Sequence, residues 1–488
     1  MLKKLDIKYF FLIVIVLGSL FTILPCFHAN LWFDEAYSVG ITEHNFQEIW
    51  TIGANDVHPV LYYFLLHIVS IAFNGNIVML RLFSCIPLII LAILGYTHIR
   101  KDFGNRVGLI FSFLALFMPV CLEYSGEIRM YTWSMLFVTI MSIYAYRIYK
   151  NGSTKNIIVF SIFSLLSAYT HYYALVTSFV ENAILFIYLV YKFIKNKEKN
   201  DLFKFIICAI IQVILYLPWI GAFLSQANSV SKGFWIGEPN IFDILVFQFT
   251  GNLGEPAVLN NNIAMIFTLI GFIIIISMLT KHIKKSNAVK FSLIVYILIV
   301  AILWIVSIFA QPILYPRYFL NLTGIFLFVL AFSISKMNNK MIIASWATIT
   351  IVSCIVNINL INENYDVSNS EPFEYINSKI QPDDILVFNN QGAGFIVTTK
   401  MNFKESYFYD QEHWGVEKAY KAFHMNDTIQ TLDKFQHYKG RIWVVTSGKE
   451  DLSKELKEKM EYGKTVDIKT FKTKYHNYEY RIELIENI

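Results

Sequence analysis

Apolar runs of roughly 16 to 22 residues recur along the chain from Tyr9 to about Leu360, and about 20 such residues in a helix span the ~30 Å hydrocarbon core of a bilayer. Lipid is the main solvent of such a chain. Its helices must satisfy their own backbone hydrogen bonds, because no water is present to do so. Spans are expected near 9–28, 80–99, 107–122, 130–148, 156–171, 173–191, 202–222, 262–280, 291–310, 317–335 and 341–360, which makes eleven crossings. The first run lacks a small-x-small cleavage site and reads as an uncleaved span. With 56% hydrophobic and only 16% charged residues, the composition lies outside the soluble range. The net charge of +5 is small and its lysines and arginines fall in short clusters, which excludes nucleic acid as a partner. The five cysteines (Cys26, Cys85, Cys121, Cys208, Cys354) sit singly in apolar stretches and read as small hydrophobic fillers.

The apolar stretch His58–Phe73 decides the sidedness of every later loop. If it lies in the interface or dips in and returns, one set of connections collects Lys3, Lys4, Lys8, Arg100, Lys101, Arg106, Arg147, Lys150, Lys155, Lys192, Lys195, Lys281, Lys284, Lys336 and Lys340, among others. The opposite set, before the tail, holds Arg81, Arg129, Lys232 and Arg317. The first set is cytoplasmic by the positive-inside rule, and an odd number of crossings leaves the residues after Leu360 outside the cell membrane.

Those last residues change character. Glu363–Ile488 is rich in charge, carries the strand-like runs Asp384–Phe388 and Arg441–Val445, and has turn signals at Gln381–Asp383 and Gly392–Gly394. The expected organisation is a transmembrane domain over 1–361, with a first outer loop at 29–79 and a long outer loop at 223–261, followed by a small α/β domain over 362–488. Tyr407–Tyr420 reads as loop or helix.

The outer loops are nearly free of lysine but collect polar residues of one kind. Asp34 and Glu35 are adjacent where the chain leaves the first span. A carboxylate at that depth is a candidate proton acceptor, while acidic residues are equally at home at a helix start. His58-Pro-Val-Leu-Tyr-Tyr63, Arg81-Leu-Phe-Ser84 and Glu123-Tyr-Ser-Gly-Glu-Ile-Arg-Met-Tyr131 follow on the same face. A cation at headgroup level can hold a lipid phosphate and stabilise charge on a leaving group. A single arginine there reads as snorkelling; three, Arg81, Arg129 and Arg317, against the positive-inside trend read as a site. His171-Tyr-Tyr173 and Tyr315-Pro-Arg-Tyr318 complete the series. The loop 223–261, with Gln226, Asn228, Trp235, Glu238 and Glu255, has the length of a cover over a cleft or of a plain surface loop. Glu181 and Asn182 fall inside a span, where a carboxyl faces protein or a cavity.

The ordered set Trp32–Tyr37, His58–Tyr63, Arg81–Ser84, Tyr124–Tyr131, His171–Tyr173 and Pro316–Tyr318 resembles the bacterial family 39 glycosyltransferases over roughly residues 5 to 360. These share the C-type membrane glycosyltransferase fold with protein O-mannosyltransferases and the lipid A aminoarabinose transferase. The resemblance implies a polyprenyl-phosphate monosaccharide donor and a single inverting displacement onto an acceptor hydroxyl. It matches Asp34 to the catalytic aspartate, with Glu35 assisting or orienting the acceptor. It implies that Arg81 or Arg317 pairs with the donor phosphate, that Glu127 and Arg129 line the donor cleft, and that His58, Tyr131, His171, Tyr172 and Tyr318 lie around it. Two departures stand out: Val60 replaces a common second proline, and Gly126 replaces an arginine. No cofactor is certain; a divalent metal ion held by Asp34, His58 and Glu127 is an option. The acceptor would be a lipid, a protein or a cell-wall polymer. The rival reading is a transporter or flippase of lipid-linked sugars, but its ionisable groups would lie near the midplane and its halves would be related.

Overall fold

The structure is a computed structural model that describes residues 7–487 except 198, 232, 234, 238–239, 253–257, 412–417 and 461. Lys3, Lys4, Lys232, Glu238 and Glu255 therefore lie outside the described residues. The chain divides into two compact units: Met1–Cys26 with Val57–Tyr62 and Arg81–Asn359, and Phe27–Asp56 with Tyr63–Leu80 and Leu360–Ile488.

A helix covers most of each of the eleven expected spans. By length and composition, eight of the described helices can cross a membrane. Asn105–Phe117 and Thr154–Ala168 are shorter apolar helices, and Tyr131–Lys150 has 20 residues but interleaves Thr and Ser with its apolar positions. Leu61–Ala72, inside the ambiguous stretch His58–Phe73, has 12 residues, well below the ~20 needed to cross. The expected long loop 223–261 is partly helical, because the helix from Asn200 runs on to Ser231 and a second one, Ile241–Thr250, is capped by Asn240.

In the first unit the helix Leu320–Ser335 is buried along its whole length. It packs against Asn105–Phe117, Tyr131–Lys150, Asn261–His282 and Asn287–Phe309. In lipid there is little hydrophobic drive between helices, so small residues that permit close approach do the work. At Gly324 a Cβ would fall 1.8 Å from Thr139 Oγ1, and at Gly95 one would fall 2.2 Å from Ser112 Oγ. Polar side chains add interhelical bonds: Ser112 donates to the Ala92 carbonyl at 2.6 Å, and Asn321 donates to Thr177 at 3.1 Å. Glu181 is fully buried and accepts from Ser142 at 2.5 Å, as expected of a carboxyl inside a bundle.

The second unit is built on a six-stranded mixed sheet of β1 (Ile385–Phe388), β2 (Glu405–Tyr409), β3 (Asp427–Ile429), β4 (Gly440–Thr446), β5 (Lys464–Lys472) and β6 (Glu479–Asn487). The strand order is β3-β2-β1-β4-β6-β5, with β1 parallel to β2 and β4, β2 parallel to β3, and β6 antiparallel to β4 and β5. Every residue of β1 is buried, as a central parallel strand covered on both faces requires. Of Tyr407–Tyr420, expected as loop or helix, Tyr407–Tyr409 is strand, Ala419 and Tyr420 begin a short helical turn, and 412–417 lie outside the described residues; the strand's alternation is hidden by aromatics on both faces, and pairing with β1 and β3 decides it. The helices Phe33–Ile41 and Phe46–Ala54 belong to this unit, and Phe33–Ile41 packs on the helix Gln391–Lys400. Gly40 is the closest approach, since a Cβ there would fall 2.2 Å from the Ala422 carbonyl oxygen.

Candidate active site

The sequence candidates divide between the units. Asp34 and Glu35 are in the second; His58, Arg81, Glu127, Arg129, Tyr131, His171, Tyr172, Arg317 and Tyr318 are in the first.

In the first unit, the ends of several helices bring four aromatic rings together. His171, at the N-cap of the helix Tyr172–Asn196, lies 5.2 Å from the Tyr318 ring, 5.8 Å from Tyr131 and 5.9 Å from His58. His58 lies 6.2 Å and Tyr131 6.5 Å from Tyr318. The backbone bond from Leu61 N–H to the Tyr169 carbonyl ties the His58 segment to this corner. His171 Nδ1 accepts the Tyr173 N–H at 3.1 Å, so its proton is carried on Nε2 and the ring caps the helix in its neutral form.

Charge gathers beside these rings. Arg317, on the short turn Pro316–Phe319, places Nη1 3.7 Å from Glu127 Oε1, and its guanidinium lies 5.5 Å from the ring centres of both Tyr131 and Tyr315. The Arg129 N–H donates to the Glu127 carbonyl at 2.7 Å, which fixes a tight turn at Glu127, and Arg129 is itself buried. Burial, then Glu123 and Glu127, push the neighbouring Tyr124 phenol well above its usual range. Arg317, set by two tyrosine rings and the Glu127 carboxylate, makes with the buried Arg129 a corner able to take an anion.

Arg81 is only 2% exposed and donates from Nη1 to the Gly126 carbonyl at 2.7 Å. A Cβ on Gly126 would lie 2.8 Å from Cys26 Sγ and 3.2 Å from Arg81 Cγ. The stem of Arg81 thus fills the room that a side chain at 126 would need. Tyr172 donates to Gln226 Oε1 and accepts the Trp219 indole N–H at 3.1 Å. Trp219 was not foreseen, since a tryptophan within an apolar run carries no signal of a polar partner.

In the second unit, Asp34 and Glu35 form the first turn of the helix Phe33–Ile41. Glu35 is fully buried and accepts from the Tyr475 hydroxyl at 2.8 Å, whereas Asp34 is partly exposed. Burial chiefly, and then Asp34 and Glu35, push the Tyr478 phenol up to about 12. Tyr475 and Tyr478 escaped the sequence reading, because nothing in the aromatic run near the C-terminus points to a loop more than 400 residues earlier.

Among the described residues no group of three or more His, Cys, Asp and Glu could hold a metal ion. Of the three ligands considered for a divalent ion, His58 and Glu127 are in the first unit and Asp34 in the second.

No protein-family model and no curated protein matches the sequence. Among solved structures, the chain is similar to ArnT from Cupriavidus metallidurans in the apo state, with a TM-score of 0.64 and 10% identity over 98% of this chain and 97% of that one. It is similar to the same protein bound to undecaprenyl phosphate, with a TM-score of 0.61 and 11% identity over 99% and 98% of the two chains. An Archaeoglobus fulgidus oligosaccharyltransferase complex with Zn and sulfate aligns at a TM-score of 0.45 and 12% identity over 89% of this chain and 68% of that one. At such identities the likeness to ArnT, the lipid A aminoarabinose transferase, is one of fold, and it covers nearly the whole of both chains. The chain has the C-type membrane glycosyltransferase fold, a multi-pass helical body with a small mixed-sheet domain.

Proposed function

We propose that the chain is an inverting membrane glycosyltransferase that moves a monosaccharide from a polyprenyl-phosphate carrier to an acceptor hydroxyl on the outer face of the cytoplasmic membrane. The acceptor oxygen attacks the anomeric carbon and its proton passes to the Asp34 carboxylate. The bond from that carbon to the phosphate oxygen breaks, and the electron pair leaves with polyprenyl phosphate. Arg317 and Arg129 hold the phosphate and offset the charge that grows on it, while Glu127 orients Arg317. Tyr131, His171 and Tyr318 wall the donor, His58 among them, and Tyr172 shapes the adjoining side.

The observation that carries this reading is the corner formed by Arg317, Glu127 and Arg129 beside four aromatic rings, in a fold whose ArnT example binds undecaprenyl phosphate. The outer placement rests on the lysine and arginine bias between connections. The test is transfer from a panel of undecaprenyl-phosphate hexoses and pentoses to cell envelopes of a deletion strain. The full-length protein transfers one of these sugars, and Asp34→Asn abolishes transfer while undecaprenyl phosphate still binds. Wild-type rates from Asp34→Asn would overturn the assignment.

A further inference from the structure

The helix that carries Asp34 and Glu35 lacks a cap of its own. Its N-cap residue, Trp32, is extended, at φ −108° and ψ 175°, and offers no side-chain acceptor to the first-turn N–H groups, which need partners from elsewhere. The tail supplies one: the Phe33 N–H donates to the Tyr478 hydroxyl at 3.1 Å. Three residues earlier, the Tyr475 hydroxyl donates to Glu35 Oε2 at 2.8 Å. Between them, the His476 ring stacks on the Trp32 indole at 4.8 Å with planes 10° apart. One turn near the C-terminus thus holds three of the four residues Trp32–Glu35.

The turn is itself under strain. His476 and Asn477 adopt φ of 52° and 53°, a left-handed region that costs a non-glycine residue about 1 kcal/mol or more, and that persists only where the surroundings impose it. Here they do: Asn369 Oδ1 accepts the N–H groups of Lys474 and Tyr475 at 3.0 and 2.8 Å, and Glu363 Oε1 accepts that of His476 at 3.0 Å. A fully buried carboxyl such as Glu35 also needs a fixed donor to stay in place. Both features exceed what packing a loop onto a domain requires.

We infer that Tyr475 is a positioning residue, which with Tyr478 and His476 sets the orientation of the Asp34–Glu35 turn and makes the C-terminal domain part of the acceptor-activating machinery. This rests on Asp34 being the base. Tyr475→Phe removes one hydroxyl. With the undecaprenyl-phosphate sugar that transfers in the panel, this variant of the full-length protein should lose at least about 10-fold in kcat with donor KM within about twofold, as a displaced catalytic group does. Amide exchange over residues 31–41 should quicken at least about tenfold while β1 and β4 keep wild-type exchange, a split that a general loss of stability would not give. Tyr478→Phe should act in the same direction, and it replaces Tyr475→Phe under the same criteria if that variant does not fold. Wild-type kcat or unchanged exchange at 31–41, in a protein whose Asp34→Asn form is inactive, overturns the positioning role alone. An active Asp34→Asn form overturns the role of the base and the positioning role together.

Discussion

Arg317 reaches to within 3.7 Å of Glu127 while its guanidinium lies 5.5 Å from the Tyr131 ring centre. A carboxylate and an aromatic face therefore share one cation. Both residues are about 11% exposed at the side chain, so the pair is worth more than a surface ion pair, and the charge is aimed by two neighbours. Arg317→Ala should weaken binding of undecaprenyl phosphate by about 10-fold or more, and Arg317→Lys should recover only part of it, because a single ammonium cannot replace the guanidinium fork. Binding of the radiolabelled lipid to purified protein measures both.

Gly126 is expected to reject larger residues. Its Cβ direction meets Cys26 Sγ and Arg81 Cγ, and Arg81 is held by the Gly126 carbonyl. Gly126→Arg should lower thermal stability by a few kcal/mol, the range for overpacking plus loss of a buried charge's partner. Gly126→Ala should cost less. A melting temperature unchanged in Gly126→Arg contradicts the packing described.

His424 Nε2 lies 2.7 Å from Glu43 Oε2 within the second unit. The bond to Glu43 raises the His424 imidazole above its ordinary range, against a smaller opposing effect of burial. A raised folded value means that the stabilisation is complete below the ordinary histidine range and is lost as pH rises through the raised value. With His424 a third and Glu43 half exposed, the effect is under about 1 kcal/mol. The unfolding temperature of this unit should fall slightly as pH rises above the ordinary histidine range of about 6.5. Glu43→Gln should flatten that slope.

Sidedness is open to direct labelling. Ser229, near the end of the helix Asn200–Ser231, and Asn196, at the end of the helix Tyr172–Asn196, are both exposed. A cysteine at Ser229 should react with an impermeant maleimide added to intact cells, and one at Asn196 should react only after permeabilisation. The reverse pattern would place the Arg317 corner on the cytoplasmic side.

Much of this molecule is written locally in its residues. Long apolar runs can bury their backbone polar groups in lipid only as helices, so the helical body follows from composition and run length. The strands at Ile385–Phe388 and Gly440–Thr446 follow from short β-branched runs between turn residues. The candidate residues of the first unit were legible because histidine, tyrosine and arginine at helix ends stand out against lipid-facing neighbours. Other features depend on pairing across long stretches of chain. Tyr407–Tyr409 becomes a strand because β1 and β3 lie beside it. Arg81 takes the room beside Gly126 because two separate segments converge there. The Tyr475 clasp on Glu35 joins residues 440 apart. Propensity and hydrophobic period act over a turn or two of chain, whereas a hydrogen bond of this kind exists only once folding has closed the loop between its ends.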